Sequence, residues 1–180
     1  MYKLSSNLND FNKEQSSESA NQKCIKDIIE NCLNSNYDSV QIDKILTSYN
    51  IKDIALLKPY AMDYLLSYAY NILDDNIITD SEYYDFSFLK KIFRINEGEF
   101  MQHKNFAIRE ILQQQFLRLY SDNYISNDEA IQSVQLQGLF DLNYDEFEAL
   151  KKDEIITALI EGANPEDLDI SSLPKGFKLL

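Results

Sequence analysis

The sequence predicts an all-α protein of stacked helix-hairpin repeats, with about seven helices that alternate between long and short. One observation is composition: valine occurs only at Val40 and Val134, whereas Leu, Ile, Lys, Glu, Asp and Asn dominate, which favours helices over strands. The other is an internal repeat, because residues 75–100 align without a gap on residues 122–147 at an offset of 47 residues. A repeat of this length is typical of helix pairs that bury their apolar faces against their neighbours.

Nine positions are identical between the two copies of the repeat. They are Asp75/Asp122, Asn76/Asn123, Ile78/Ile125, Glu82/Glu129, Leu89/Leu136, Phe93/Phe140, Asn96/Asn143, Glu99/Glu146 and Phe100/Phe147. The shared Leu and Phe positions predict core contacts that recur in both copies.

The ends of the chain differ in composition from its middle. Residues 1–21 are rich in Ser and Asn and hold few large apolar side chains, so a disordered leader is expected there. Residues 22–161 form the predicted helical repeat domain. Gly162 ends the last helix and two prolines follow it, which predicts an extended C-terminal tail over residues 162–180.

Capping residues place the helix starts. Capping boxes are predicted at Thr79-Asp80-Ser81-Glu82 and Ser126-Asn127-Asp128-Glu129, with a weaker version at Asp38-Ser39-Val40-Gln41. A second set, at Asn50, Asn96 and Asn143, precedes the long helices. Long helices are therefore expected near 22–34, 53–73, 97–120 and 144–161, and short ones near 39–48, 80–93 and 127–140.

The charge is strongly negative and unevenly distributed. The chain has a formal net charge of −13, and residues 121–170 hold 13 acidic side chains against only Lys151 and Lys152. Such a region repels nucleic-acid phosphates and attracts cationic partners, so a basic protein partner is expected and a nucleic acid is not. The alternative is a solvated acidic face that only keeps the protein soluble.

A docking site for the basic partner is predicted where acidic and aromatic residues interleave. Tyrosine is favoured at the centres of protein interfaces. The predicted partner-binding residues are Tyr124, Asp141, Tyr144, Asp145, Glu146 and Glu148.

The repeated acidic turn also suggests a metal site. If each turn is compared with an EF-hand loop, the candidate ligands of Ca²⁺ or another divalent cation are Asp75, Glu82, Asp122 and Glu129. Leu73 and Tyr120 stand where the loop needs further oxygen ligands, and such a cation needs six to eight of them. Glu82 and Glu129 also close capping boxes, so capping without any cofactor is the favoured interpretation.

The motif of residues 75–82, with the following Leu89-Lys90-Lys91-Ile92-Phe93, resembles the tellurite-resistance TerB-like helical family. The resemblance covers roughly residues 51–161. It implies an acidic, all-helical module associated with stress response, metal-linked complexes and the membrane surface. The acidic clusters of that family are proposed to bind metal, and the matching positions are the four candidate ligands named above.

The sequence gives no motif for catalysis. It lacks a Gly-rich phosphate loop, a His/Glu metal motif and a Ser/His/Asp grouping, and His103 lies on a different predicted helix from Cys24 and Cys32. The two thiols would lie about 12 Å apart on one helix, too far for a disulfide, as suits a cytoplasmic protein. The sequence has no run of 18 or more apolar residues, so no transmembrane segment is predicted.

The expected function is therefore a non-enzymatic, cytoplasmic binding protein that engages a cationic protein partner. One concrete form is an immunity protein that neutralises a basic toxin domain. The alternative is a TerB-like stress or metal-response module that binds a divalent cation. A small hydrolase that uses the clustered carboxylates ranks last.

Overall fold

The computed structural model describes residues 3–34, 38–75, 77–119, 127–162, 164 and 173, and over these residues it contains helices and no strands. The helices are α1 (Ser6–Glu14), α2 (Ala20–Asn34), α3 (Ser39–Ser48), a short 3-10 helix (Ile54–Leu57), α4 (Lys58–Ile72), α5 (Asp80–Ile92), α6 (Glu99–Leu119), α7 (Asn127–Leu139) and α8 (Tyr144–Ile160). The all-α prediction is confirmed. Contacts divide the chain into two compact units, Met1–Glu99 and Phe100–Leu180.

All seven predicted helices are present, and most of their ends differ from the predicted ones by at most two residues. The exception is the long helix expected over 53–73, which is a 3-10 helix followed by α4. The expected cap at Asn50 is wrong, because Asn50 has a φ of 56° and ends α3 instead. Asp53 caps the 3-10 helix, and its carboxylate accepts a hydrogen bond from the Ala55 N–H at 2.9 Å.

The expectation of a disordered leader over residues 1–21 is corrected by α1. Ser5 caps this helix through its side chain, and Leu4, Leu8 and Phe11 are buried. Leu8 and Phe11 lie three residues apart, so the helix presents both on one face, and Leu4 is buried just before its cap. The expected tail over 162–180 lies almost entirely outside the described residues.

The first unit is assembled around α2 and α4. Helix α2 packs against α1, α3 and α4, and α4 also packs against α1 and α5. At the start of α4, the Lys58 ammonium lies 2.7 Å from the Glu99 carboxylate. That carboxylate also accepts the Asn96 N–H at 2.6 Å, and Lys58 is the main reason why the pKa of Glu99 lies below its usual value.

The internal repeat is reproduced in the backbone. Arg94, after α5, and Asp141, after α7, both have a φ of 53°. After each of them a backbone N–H returns to the helix: Ile95 donates to the Lys90 carbonyl at 2.9 Å, and Leu142 donates to the Gln137 carbonyl at 3.1 Å. This left-handed residue with a six-to-one hydrogen bond is a common way to satisfy the last carbonyls of a helix.

A third copy of this turn follows α3. Asn50 has the left-handed backbone, and the Ile51 N–H donates to the Leu46 carbonyl at 2.9 Å. Each of the three short helices α3, α5 and α7 therefore ends in the same way. The offset between Asn50 and Arg94 is three residues shorter than the offset of the repeat, which explains why the ungapped alignment did not include it.

The repeated phenylalanines form the core of the second unit. The rings of Phe100 and Phe140 pack edge to face with centroids 5.8 Å apart, and those of Phe116 and Phe147 are 5.4 Å apart. All four rings are buried. Such pairs contribute beyond the area that they bury, and three of the four rings, Phe100, Phe140 and Phe147, stand at repeat positions.

Helix α6 is bent at Lys104, whose φ of −131° and ψ of 24° are not helical. The sequence predicted one continuous helix here. Two residues after the bend, the ring of Phe106 is 82% exposed.

Replacing Phe140 with Ala should lower the free energy of unfolding by about 3–5 kcal/mol, because it removes a buried ring that touches Phe100. Phe93→Ala should have an effect of similar size in the first unit, since Phe93 is 1% exposed. Urea denaturation measures both. The matched control is Phe106→Ala, which should change stability by less than about 0.5 kcal/mol. Equal losses for Phe140 and Phe106 would contradict the described core.

Candidate functional site

The predicted partner-binding residues cluster at the start of α8. The ring of Tyr144 is 68% exposed, Asp145 and Glu146 are exposed, and Asp141 and Glu148 are half-buried. The turn after α7 places Asp141, and the first turn of α8 places Tyr144, Asp145 and Glu146. We call this set, Asp141, Tyr144, Asp145, Glu146 and Glu148, the α8 surface. Tyr124 lies outside the described residues.

Part of the charge of the α8 surface serves the helix itself. The Glu146 carboxylate accepts the Asn143 N–H at 3.1 Å, and the Asn143 side chain accepts the Glu146 N–H at 2.8 Å. This is the capping box that the sequence predicted. Asp145 and Glu146 both stand in the first turn, where negative charge interacts favourably with the helix dipole.

Glu148 has a cationic neighbour. The Lys151 ammonium lies 3.8 Å from its carboxylate, which is near the upper limit for an ion pair. The two side chains are only 17% and 26% exposed, so water screens this pair less than it screens a pair on an open surface. Asp145 and Glu146 are exposed, so the α8 surface presents at least these two carboxylates to solvent.

Capping and dipole effects do not explain the exposure of Tyr144. A tyrosine in the first turn of a helix supplies no capping group, and its large ring would be more favourably buried than solvated. Asp141 is different, since a short polar side chain is one of the few that tolerate a left-handed backbone. Among the described residues, no hydrogen bond or ring contact therefore gives Tyr144 a structural role in α8.

The first candidate metal loop is occupied by internal hydrogen bonds. One oxygen of the Glu82 carboxylate accepts the Thr79 N–H at 2.9 Å and the Thr79 hydroxyl at 2.7 Å, and the other accepts the side-chain amide of Asn7. Asp75 accepts the Ile77 N–H at 3.0 Å. The capping box at Thr79 is therefore confirmed, and both Glu82 oxygens have protein partners.

In the second loop, Asp122 and the side chain of Glu129 lie outside the described residues. Within the described parts of the chain, no group of three or more His, Cys, Asp or Glu side chains is arranged to hold a metal ion. The hydrogen bonds that Glu82 accepts are those of a helix cap. They suit that role better than the binding of a cation that needs six to eight oxygen ligands.

The structure reveals a buried carboxylate that the sequence did not single out. Asp85, on α5, is 0% exposed, and Tyr68 on α4 donates its hydroxyl to it at 3.2 Å. Burial, as the largest cause, raises the pKa of Asp85, and hydrogen bonds from Ser5 and Tyr68 partly offset that effect. The pKa values of the Tyr64 and Tyr68 hydroxyls are raised too, because they are buried beside Asp85.

The two thiols are buried in the first unit, and the histidine belongs to the second. Cys24 and Cys32 are both buried on α2, and burial raises the pKa of each to about 11. A thiol with such a pKa is almost wholly protonated at neutral pH and is a poor nucleophile. His103 is exposed on α6, in the other unit.

Over the described residues, no helix combines the length and the apolar character needed to cross a bilayer. Comparison of the chain with protein-family models, with curated proteins and with solved structures finds no match.

Thr79→Ala should lower the free energy of unfolding by about 1 kcal/mol, because it removes the side chain that caps α5. Thermal or urea unfolding measures the change. Thr47→Ala provides the same chemical substitution inside α3, where the hydroxyl only bonds back to the Asp43 carbonyl. That control should be neutral or slightly stabilising, since Ala is the better helix former. If both variants lost the same stability, the cap would not be the cause.

Proposed function

We propose that this protein is a non-enzymatic binding protein whose α8 surface engages a cationic protein partner. The observation that carries the proposal is the exposure of Tyr144 in the midst of carboxylates at the start of α8. A ring that is 68% exposed presents apolar area and a hydroxyl to solvent. Tyrosine in this state is a favourable anchor for a partner, since it loses little conformational freedom on binding.

The chemistry of the α8 surface favours a partner with exposed Lys or Arg. The guanidinium of an arginine can stack on the Tyr144 ring while it donates hydrogen bonds to a neighbouring carboxylate. Asp145 adjoins Tyr144 in the chain, and Glu148 lies one helical turn further along α8. A basic side chain of the partner would thus meet a ring and a carboxylate together.

The charge of the whole chain supports fast association. A formal net charge of −13 attracts a basic protein over distances of about 10 Å, and salt screens this attraction. We therefore propose a partner of basic isoelectric point whose association rate falls as ionic strength rises. An immunity protein that neutralises a basic toxin domain in the cytoplasm would have these properties, and it is the specific form of the function that we favour.

The test is a variant that changes the α8 surface but not the caps. The variant combines Asp141→Asn, Asp145→Lys and Glu148→Lys, which makes the α8 surface more positive. Asn at position 141 still tolerates the left-handed backbone, and Glu146 is left to close the capping box. Protein captured from the native host on the wild type should include one basic protein that elutes at high salt. The variant should bind that protein at least about tenfold more slowly.

A matched variant separates local from global charge. The control variant changes the net charge by the same amount at exposed positions of the first unit, through Glu30→Lys, Asp43→Lys and Glu97→Gln. This control should bind with nearly the wild-type rate, and circular dichroism should show both variants folded. Equal rates for the two variants would contradict a role for the α8 surface.

The alternative function is a metal-response module of the TerB-like kind. It is favoured by the recurrence of the acidic turn and by the exposure of Asp75 within it. Calcium titration with melting temperature as the readout distinguishes it from partner binding. Because the Glu82 oxygens already accept hydrogen bonds, we expect no saturable rise at micromolar calcium. Such a rise in the wild type, absent from an Asp122→Ala variant, would establish the alternative.

A further inference from the structure

Helix α1 is attached to the first unit through buried polar groups. The backbone N–H of Ser5 donates to one oxygen of Asp85 at 3.1 Å, and the Ser5 hydroxyl donates to the other. These contacts join residues 80 positions apart in the chain. The same hydroxyl oxygen accepts the Leu8 N–H at 3.1 Å and so also caps α1. The start of α1 and its attachment to α5 thus depend on one serine.

Two further polar side chains, with three hydrogen bonds between them, hold the rest of the helix. Asn7 donates its side-chain amide to Glu82, one turn before Asp85 on α5. Near the other end, Asn12 is only 5% exposed, and it accepts the Tyr64 hydroxyl at 3.0 Å and donates to the Lys26 carbonyl at 3.4 Å. Helix α1 is therefore bound to α2, α4 and α5 by hydrogen bonds along its whole length.

The apolar part of the attachment is small. Leu4, Leu8 and Phe11 are its buried apolar residues, and the Phe11 ring packs against Tyr64 and Tyr68 with centroids 5.4 and 5.1 Å apart. A nine-residue helix is not stable alone in water, so α1 is helical because it is docked. Its stability depends on a short list of contacts that can be lost together.

The connection between α1 and α2 is short and is held to α2, because the Lys26 ammonium donates to the Gln15 carbonyl and the Ser19 N–H donates to the Gln22 side chain. Residues 15–19 link the two helices, and their sequence, Gln-Ser-Ser-Glu-Ser, is polar throughout. A cavity of about 100 Å³ lies beside this linker, lined by residues that include Gln15, Ser16, Tyr60 and Tyr64. The linker therefore borders a groove that is partly open to solvent and not a close-packed core.

We propose that residues 3–14 form a latch, which undocks as a unit while α2 to α5 stay folded, and that the buried Asp85 sets how often it opens. Opening uncovers the faces of Tyr64 and Tyr68 on which Phe11 packs, together with the carboxylates of Asp85 and Glu82. The latch thus hides a surface of tyrosine rings and carboxylates.

The proton on Asp85 gives the latch a pH dependence of known sign. The groups that face Asp85 are Ser5 on α1, Tyr68 and Tyr64 on α4, and Glu82 on α5 itself. Burial raises the pKa of the docked Asp85, and the Glu82 charge raises it further. Docking is therefore most favourable below the ordinary pKa of an aspartate, and it weakens as the pH rises through the higher pKa of the docked state.

Amide hydrogen exchange on the full chain tests the latch. Protection factors, corrected for the intrinsic exchange rate, should be at least about tenfold lower for residues 9–14 than for the centres of α2 and α4. In α1 they should fall as the pH rises from 4 towards 7, whereas those of α2 and α4 should not follow. The proposal would be overturned if the three helices had equal protection factors, or if the protection factors of α2 and α4 fell with pH as those of α1 do.

Two serine variants separate the attachment from the helix. Ser5→Ala should lower protection in α1 by about tenfold, since it removes the hydroxyl that donates to the buried Asp85 and caps α1, while the backbone N–H of residue 5 still donates to Asp85. It should also move the pH at which α1 loosens upward, because the side-chain hydrogen bond of Ser5 lowers the pKa of Asp85. Ser6→Ala changes the neighbouring, exposed serine and should leave protection within about twofold. Equal effects of the two variants would refute the role of Asp85.

Asp85→Asn removes the titrating group but keeps a side chain that accepts the Ser5 N–H. In this variant, protection of α1 should no longer vary with pH, and an unchanged pH dependence would overturn the proposal. Should Asp85→Asn fail to fold, carbon NMR of the Asp85 carboxyl in the wild type decides the matter. A measured pKa at or below the ordinary value of about 3.9 would contradict the proposal.

Discussion

The structure depends on carboxylates that accept hydrogen bonds from backbone N–H groups at helix starts. Glu82 and Glu146 each reach back to the residue three positions earlier and close a capping box, and so satisfy donors that a helix start leaves unpaired. Glu99, the first residue of α6, accepts the Asn96 N–H from the turn before that helix. Because the two capping boxes are local, they define where α5 and α8 begin. The same hydrogen bonds define the turn that precedes each helix. They also define the positions of the side chains in its first turn.

This constraint divides the acidic residues by role. Carboxylates such as Glu82 and Glu146 serve the fold, and Asp85 is buried by it, whereas Asp145 stands in a first turn without a cap to close. The functional proposal therefore rests on Tyr144 and its acidic neighbours and not on net charge alone. The latch rests on the opposite case, a carboxylate that the fold has removed from water and that only hydrogen bonds compensate.

Most of the helices could be predicted from sequence because their signals are local: a capping residue, an apolar period of 3.6 and a repeat. Helix α1 could not, since Leu4, Leu8 and Phe11 are sparse in a polar segment and its decisive partner, Asp85, lies 80 residues from Ser5. The spacing of those three apolar residues was the available signal. Tyr144 was predicted as a docking residue from its acidic neighbours, but how much of it is exposed depends on the packing of α8 and could not be predicted from sequence.

The most direct test of the account is a photo-cross-linking amino acid in place of Tyr144, expressed in the native host. The same substitution at Phe106, another exposed ring of the second unit, is the control. The account predicts that the Tyr144 position captures one basic protein, that high salt abolishes the capture, and that the Phe106 position captures none of it. Capture of the same protein from both positions, or capture at Tyr144 that persists at high salt, would contradict it.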